Sequence, residues 1–595
     1  MDDDTFYKKI SSLSEISKAQ LSKVLNNLSG LKDIIIEPDV IRPLERICGV
    51  SWLKNNGVEK IFKLEGNLPK RDNPQFYMIY SSIETFKQVI NLIQSQIEPD
   101  QQPKNKFHII CIPKILYLHE QLLEENGLYS DVVKLYSLQW QPIHIDRGIL
   151  TLEIPHMFRN LFVHQDLSLL PVYAKSLWQL YFITGKPKFT LALGQQSNNI
   201  LKHLDMLHED KESDKIDSDF SCLILLDRTT DYVSTLLTPR TYTALLKDIY
   251  NVKCGVCDEK HVETEPYDEK FNLNLKKNPV QLNFDSRQDR IYNNIKNRYF
   301  TEVTSILSSL TKQLRSEKDS SKDMALDDLR RYVKTQLKEV TSKKALIANH
   351  LSAAETIINV MGHRFEKQQE VEEYITQNKN KGSNYSYLEE TLYENDKLLT
   401  LRLLCLLCVT QKVSESDVKS FINKFCQEFG YNYGFLHNNL LKMEFFTQEP
   451  TLQGKLIKLP NIFLNNFYIN ANKLKQIPTQ PENVDVKSPT CMSYVFGGCY
   501  IPLIGQILSS ILSSAPLKEL ETKLEAFGPL SIHNNGGFPL TSRVILVCVV
   551  GGITYAEVAA CNLLESLTGS KIIVMSDQVV SGNDIVNSLI HSPIP

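Results

Sequence analysis

Neither sign of charge dominates this 595-residue chain: 66 lysines and arginines stand against 69 aspartates and glutamates, a formal net charge of −3. That balance excludes a globally basic nucleic-acid binder and leaves no broad cationic face for an anionic membrane. Long apolar runs are missing as well. The longest, Val544 to Ile553, contains two glycines and is about half of what a membrane span needs. Met1-Asp2-Asp3-Asp4 lacks the basic-then-apolar layout of a signal peptide, Asp2 excludes N-myristoylation, and Ser592-Pro593-Ile594-Pro595 offers no prenylation cysteine. The expectation is a cytosolic chain whose membrane contact is indirect.

The usual signatures of turnover are absent too. No GxxxxGK[ST] occurs, no GxGxxG follows a strand, and neither HExxH nor GxSxG is found. His203 and His208 are five apart, a poor helical spacing for a shared metal. The twelve cysteines are mostly isolated within apolar segments, as buried thiols of a reducing compartment are. Two pairs have CxxC spacing, Cys254/Cys257 and Cys405/Cys408. The second lies on one face of an apolar helix, and the first is not fed by a strand leading into a helix, so core packing is the expectation for both. No cofactor, metal or catalytic residue is expected.

What is present is a succession of alternating patterns. "LKDIIIEPD", "FYMIY" and "FHIICIP" read as buried strands separated by helices over residues 31 to 135, the pattern of a parallel sheet covered by helices. A second α/β unit begins near Arg147 and includes the strand at 221 to 226. From Thr241 to Lys475 the pattern turns helical, and after a polar, proline-bearing linker around 470 to 490 the α/β pattern returns. The fold class expected is α/β with a large all-α insertion. Its units are an N-terminal domain (1–145), a discontinuous α/β domain (146–240 and 490–595) and an inserted helical domain (241–489). At 324 to 361, Leu326, Leu329, Val333, Leu337 and Val340, then Ile347, Leu351, Ala354, Ile358 and Met361, recur at steps of three and four on either side of "TSKK". That spacing reads as a helical hairpin or one long broken helix.

Within this layout, "SCLILLDRTTDYV" stops a buried strand on Asp227, Arg228 and Asp231. One reading makes the aspartates metal ligands or an acid/base pair of a hydrolase or transferase at a strand's carboxyl end. The other has Arg228 held between carboxylates in a junction network. Charge compensation favours the second, because an adjacent arginine depresses carboxylate pKa values and occupies their lone pairs. Gly551-Gly552 lets the chain leave a strand tightly and begin a helix close to the sheet, with Thr554 as its cap.

"LILLDRTTDYVSTLLTPRTYTALLKDIY" resembles the central signature of the Sec/Munc (SM) proteins, and "VVGGITYAEVAACNLLE" resembles their C-terminal one. "KDIIIEPDVIRPLERICGVSWLKNNGVEKIFKLE", "LIANHLSAAETI" and "MSYVFGGCYIPL" are similar to the class C vacuolar protein sorting branch of the thirty-three type. "VKCGV" and "LRLLCLLCVT" favour its B-type. Where the family has Tyr-Glu-Gly-Leu, this chain has Tyr242-Thr243-Ala244-Leu245.

The resemblance implies an arch of two α/β domains and a helical domain, without enzymatic activity. It implies binding of SNARE proteins, syntaxin-like Qa and R types, whose assembly is templated before membrane fusion. It also implies membership of a class C tethering complex, docked on a sixteen-type helical-repeat subunit at late endosome, lysosome or vacuole and recycling endosome membranes. SNARE contact is expected on the hairpin, at Arg330, Arg331, Lys334, Leu337, Lys338 and Val340. The docking face is expected around 400 to 445, at Leu441 and Phe445, which fall off the Leu436, Leu440 and Met443 stripe.

Overall fold

The computed structural model describes residues 3–590 apart from 67, 70, 98–105, 130–131, 208–217, 263–280, 321–336, 363, 412, 447–466 and 541. β1 (Lys32–Ile36), β2 (Val58–Lys63), β3 (Gln75–Tyr80), β4 (Phe107–Ile112) and β5 (Val133–Ser137) form a five-stranded sheet in the order β2-β1-β3-β4-β5. Every pair in it is parallel. β1, β3 and β4 are buried throughout, as strands covered on both faces must be. The helix Ile83–Gln96 covers one face with Phe86, Val89, Ile90 and Ile93, and Ser82 caps it by accepting from the Thr85 N–H.

A second sheet takes β6 (Ile143–Asp146), β7 (Ile149–Thr151), β8 (Phe189–Leu193) and β9 (Cys222–Asp227) from before the insertion. Early in the insertion, after the helix Tyr242–Ile249, β10 (Tyr250–Lys253), β11 (Val256–Val262) and β12 (Gln281–Asn283) form a separate antiparallel sheet. After the insertion, β13 (Leu530–Asn534), β14 (Val544–Val550) and β15 (Lys571–Ser576) complete the second sheet in the order β13-β8-β9-β14-β15-β7-β6. β14 pairs in parallel with both β9 and β15, so the two chain segments interleave at its centre.

Three features depart from the sequence reading. β10–β12 stand where helix alone was expected: Cys254 (φ 48°) and Gly255 (φ 69°) are both left-handed, which makes "KCGV" a tight hairpin turn with cysteine in the place usually taken by asparagine. The helix Leu337–Met361 runs unbroken through "TSKK", a stretch with neither glycine nor proline to stop it, and packs beside the helix Phe300–Ser320. A helix at Asp3–Leu25, not anticipated, seats on the second sheet's domain. There Phe6 meets Phe220 edge-on at 5.7 Å, Lys9 bridges Asp219 at 2.8 Å, and Ser17 accepts from the Gln141 N–H.

The helical insertion is organised around Lys397–Gln411, buried on all sides from Thr400 onward. Cys405 and Cys408 lie on it as core residues, and burial raises both thiol pKa values, that of Cys408 to about 12. Cys254 and Cys257 are buried as well.

Candidate functional site

β9 delivers Asp227 to the carboxyl edge of the second sheet, beside the start of the helix Gln195–Leu207. Its Oδ2 accepts from the Gln196 N–H and its Oδ1 from the Ser197 N–H, both at 2.7 Å, and Ser197 Oγ donates to Oδ1 at 2.6 Å. A helix N-terminus of this kind is a ready anion site. Here the chain's own carboxylate fills it. Gly194, at φ 111°, makes the approach possible, since a Cβ there would lie 2.3 Å from Asp227 Cγ. Burial raises the Asp227 pKa to about 6 against the pull of these three hydrogen bonds.

Gly551 and Gly552, at the end of β14, repeat the pattern. Their N–H groups donate to Asp577 Oδ1 at 2.7 and 3.1 Å. Both glycines have positive φ, and a Cβ at either would strike Phe162 or Val580 within 2.6 Å. Burial raises Asp577 to about 7. Asp231 is also occupied: Oδ1 accepts from the Ser234 N–H and Tyr500 hydroxyl, and Oδ2 from Ser234 Oγ and the Leu503 N–H. Three carboxylates thus take the backbone and hydroxyl donors that a bound phosphate would need.

Arg228 points away from both aspartate carboxylates. It pairs bidentately with Glu557, Nη1–Oε2 at 2.8 Å and Nη2–Oε1 at 2.7 Å, and also donates to the carbonyls of Gly552 and Asp231. The acid that Arg228 meets is Glu557, 329 residues away, and not the neighbouring aspartates, because Asp227 is turned to the helix Gln195–Leu207. Arg228 does not depress the Asp227 pKa as expected; burial moves it upward instead. Burial opposes the charge of Arg228, yet the Glu557 carboxylate outweighs it and holds the pKa above the ordinary value. Glu557 also closes a capping box with Thr554 at the head of the helix Tyr555–Thr568. The motif Thr-Tyr-Ala-Glu signals that box in the sequence; nothing in it signals the arginine.

The same segment anchors the helical insertion. Glu372 accepts from the Thr238 N–H at 2.9 Å and from its hydroxyl at 2.6 Å. Arg402 bridges Asp248 at 3.0 Å and donates to the Leu236 carbonyl. Tyr242, in the divergent Tyr-Thr-Ala-Leu stretch, meets His350 Nδ1 at 3.0 Å, and His350 Nε2 meets Asp289 at 3.0 Å. This chain couples the helix Leu337–Met361 to the junction. No group of three or more histidines, cysteines or acids suited to a metal occurs among the described residues.

The expected surface residues are scattered. Arg330, Arg331 and Lys334 lie outside the described residues. Leu337 and Lys338 open the helix Leu337–Met361, and Val340 is half-buried on it. The apolar stripe expected to continue along this helix splits: Ile347 and Ala354 are buried, whereas Leu351 and Ile358 are 38% and 53% exposed. Leu441 lines a cleft of about 580 Å³ with Tyr232, Phe467, Tyr500 and Phe527. Phe445 is 1% exposed and stacked on Tyr232 at 4.7 Å. It offers no open docking face, because the helix Leu436–Lys442 ends first and turns Phe445 inward.

The sequence pattern of the Sec1 family matches residues 32–588. Vacuolar protein sorting-associated protein 33B of Danio rerio is 26% identical over 616 residues, covering 98% of this chain and 97% of that protein. Vacuolar protein sorting-associated protein 33A of Rattus norvegicus is 25% identical, covering 98% of both. Among solved structures, the SM protein Vps45 in complex with the Qa SNARE Tlg2 (1-310) superposes with a TM-score of 0.58 at 14% identity over 97% of each chain. The Unc18–syntaxin 1 complex from Monosiga brevicollis gives 0.57 at 13% identity, over 97% of this chain and 99% of that one. Among the described residues no helix is long and apolar enough to cross a membrane. Two α/β sheets, the second built from interleaved segments on either side of a helical insertion, strand-end carboxylates spent on the chain's own donors, and a sequence match from the first strand to the last helix agree: this chain belongs to the Sec1 family.

Proposed function

We propose that the chain is a non-enzymatic regulator of SNARE-mediated vesicle docking and fusion in endosome and lysosome trafficking. It acts as a subunit of a class C tethering complex and templates SNARE assembly. The observation that carries the non-enzymatic part is the occupancy of Asp227, Asp231 and Asp577 by internal donors. A metal-dependent hydrolase or transferase using Asp227 and Asp231 finds both residues buried, with three donors on Asp227 and two on each oxygen of Asp231. The SNARE part draws on the resemblance to proteins whose solved complexes contain syntaxin 1 and the Qa SNARE Tlg2.

The helix Leu337–Met361 is the proposed template. Four-helix SNARE bundles form from disordered segments with a costly nucleus, which a surface holding two segments in register offsets in advance. On this helix Val340, Leu351 and Ile358 lie within about 20° of one line, at 100° per residue. Ile347, on the same line, is covered. Exposed apolar residues at this spacing suit the groove-and-helix mode of recognition. Arg330, Arg331, Lys334, Leu337 and Lys338 are proposed to extend the surface, complementing acidic flanks of the incoming helices. The cleft at Leu441 is the proposed seat of the sixteen-type subunit, and peripheral attachment to endosomal or vacuolar membranes follows through that partner. The B-type assignment rests on "VKCGV" and "LRLLCLLCVT".

A capture assay with a Qa SNARE motif tests the template. Replacing Leu351 and Ile358 together by aspartate weakens capture about tenfold or more and leaves the melting temperature unchanged. Undiminished capture by a folded variant removes the template from this helix.

A further inference from the structure

A second cavity, of about 260 Å³, opens where the helix Pro38–Ile47, the carboxyl ends of β7 and β15 and the β10–β11 turn converge. Glu153, which follows β7, projects into it. The residue is 6% exposed. Its Oε1 accepts from Thr151 Oγ1 at 2.7 Å. Oε2 has no hydrogen-bond partner among the described residues and is the oxygen open to the cavity. The Tyr555 hydroxyl, buried and unpartnered among the described residues, borders the same space.

Backbone conformation sets the carboxylate there at a cost. Glu153 has φ 45° and His156 φ 62°, left-handed values that disfavour side-chain-bearing residues and persist where the surroundings enforce them. Four of the other charges around the cavity are paired and a fifth is hydrogen-bonded. Lys247 bridges Asp584 at 3.0 Å, Lys253 pairs with Asp39, and Asp577 accepts from the two glycine N–H groups. Arg159 also lines the cavity, with Glu84 acting on it only through space and its Nε buried without a partner among the described residues, and His156 stands at the exposed rim. Lys247 and Arg46 act on Glu153 only through space. A buried carboxylate with no bonded cation is among the more expensive groups a protein can carry.

We propose that this cavity is a binding site for one alkyl-ammonium or alkyl-guanidinium group, whose head pairs with Glu153 Oε2. The size suits a single such group on a short chain. Burial raises the Glu153 pKa to about 7, and an arriving cation reverses that shift. Binding at pH 7 therefore expels roughly half a proton per ligand. The inference is independent of the SNARE reading.

Calorimetric titration of the full chain with butylguanidinium at pH 7, in two buffers of different ionisation enthalpy, reads both affinity and proton release. Saturable binding with proton release is expected, with butylurea, the uncharged isostere, at least about tenfold weaker. Glu153→Gln keeps the Thr151 hydrogen bond and is expected to weaken butylguanidinium by a similar factor. Equal binding of butylurea overturns the proposal, as does absence of binding, and the butylurea comparison decides the matter if the variant fails to fold. A blocked peptide of glycines around one arginine separates sources. Retained affinity supports a partner's side chain as ligand, and lost affinity supports a free amine.

Discussion

Arg228 and Glu557 form a buried pair whose four hydrogen bonds and capping box join strand β9 to the helix Tyr555–Thr568. Removing one member leaves the other charge buried and unpaired, a cost of about 3–5 kcal/mol. Glu557→Met and Arg228→Met each lower the melting temperature steeply, while the double variant Arg228→Met with Glu557→Met falls by less than their sum. Additive losses in that cycle contradict the coupling. Asp577 tests the same edge by pH. Its folded pKa, about 7, lies above the unfolded value of 3.8, so the stability it contributes is complete below pH 3.8 and disappears as pH rises through 7. Asp577→Asn keeps an oxygen for both glycine N–H groups and abolishes that loss. The variant gains on wild type between pH 5 and pH 8, by roughly 4 kcal/mol at most. A pH-independent difference counts against the buried carboxylate.

Whole elements were legible where one local signal sufficed. The isoleucines of β1, the alternation of strand and helix to residue 135, and the Gly551-Gly552 exit with its Thr554 cap are all properties of neighbours in sequence. Partners distant in sequence were not legible: no spacing rule links Arg228 to Glu557, and the hairpin at Cys254 used an unusual turn residue. Asp227 illustrates the limit well, since its charge and strand-end position are visible in the sequence while nothing near it in the chain points to the helix it caps. Phe445 lies away from the face that a helical projection gives it for a related reason, because the projection fails once the helix has ended. Phe445→Ala accordingly behaves as a core deletion, costing about 3–5 kcal/mol in a denaturation measurement. Loss of partner capture with unaltered stability would contradict its burial against Tyr232.

Across the molecule, the carboxyl edge of the second sheet is where open α/β folds hold nucleotides and metals. In this chain the edge instead locks modules together. Asp227 holds the helix after β8, Asp577 holds the glycine turn, Asp231 holds the start of the helix Leu503–Leu512, and Glu372 with Arg402 hold the insertion. The long helix Leu337–Met361 stands on this frame through His350, Asp289 and Tyr242. A rigid frame carrying a preset helical surface suits partner recognition more than turnover. Isothermal titration with manganese and with magnesium nucleotides is the most direct test of that claim. The account predicts no saturable heat from the wild-type chain, whereas saturable heat that disappears in Asp227→Asn would contradict it.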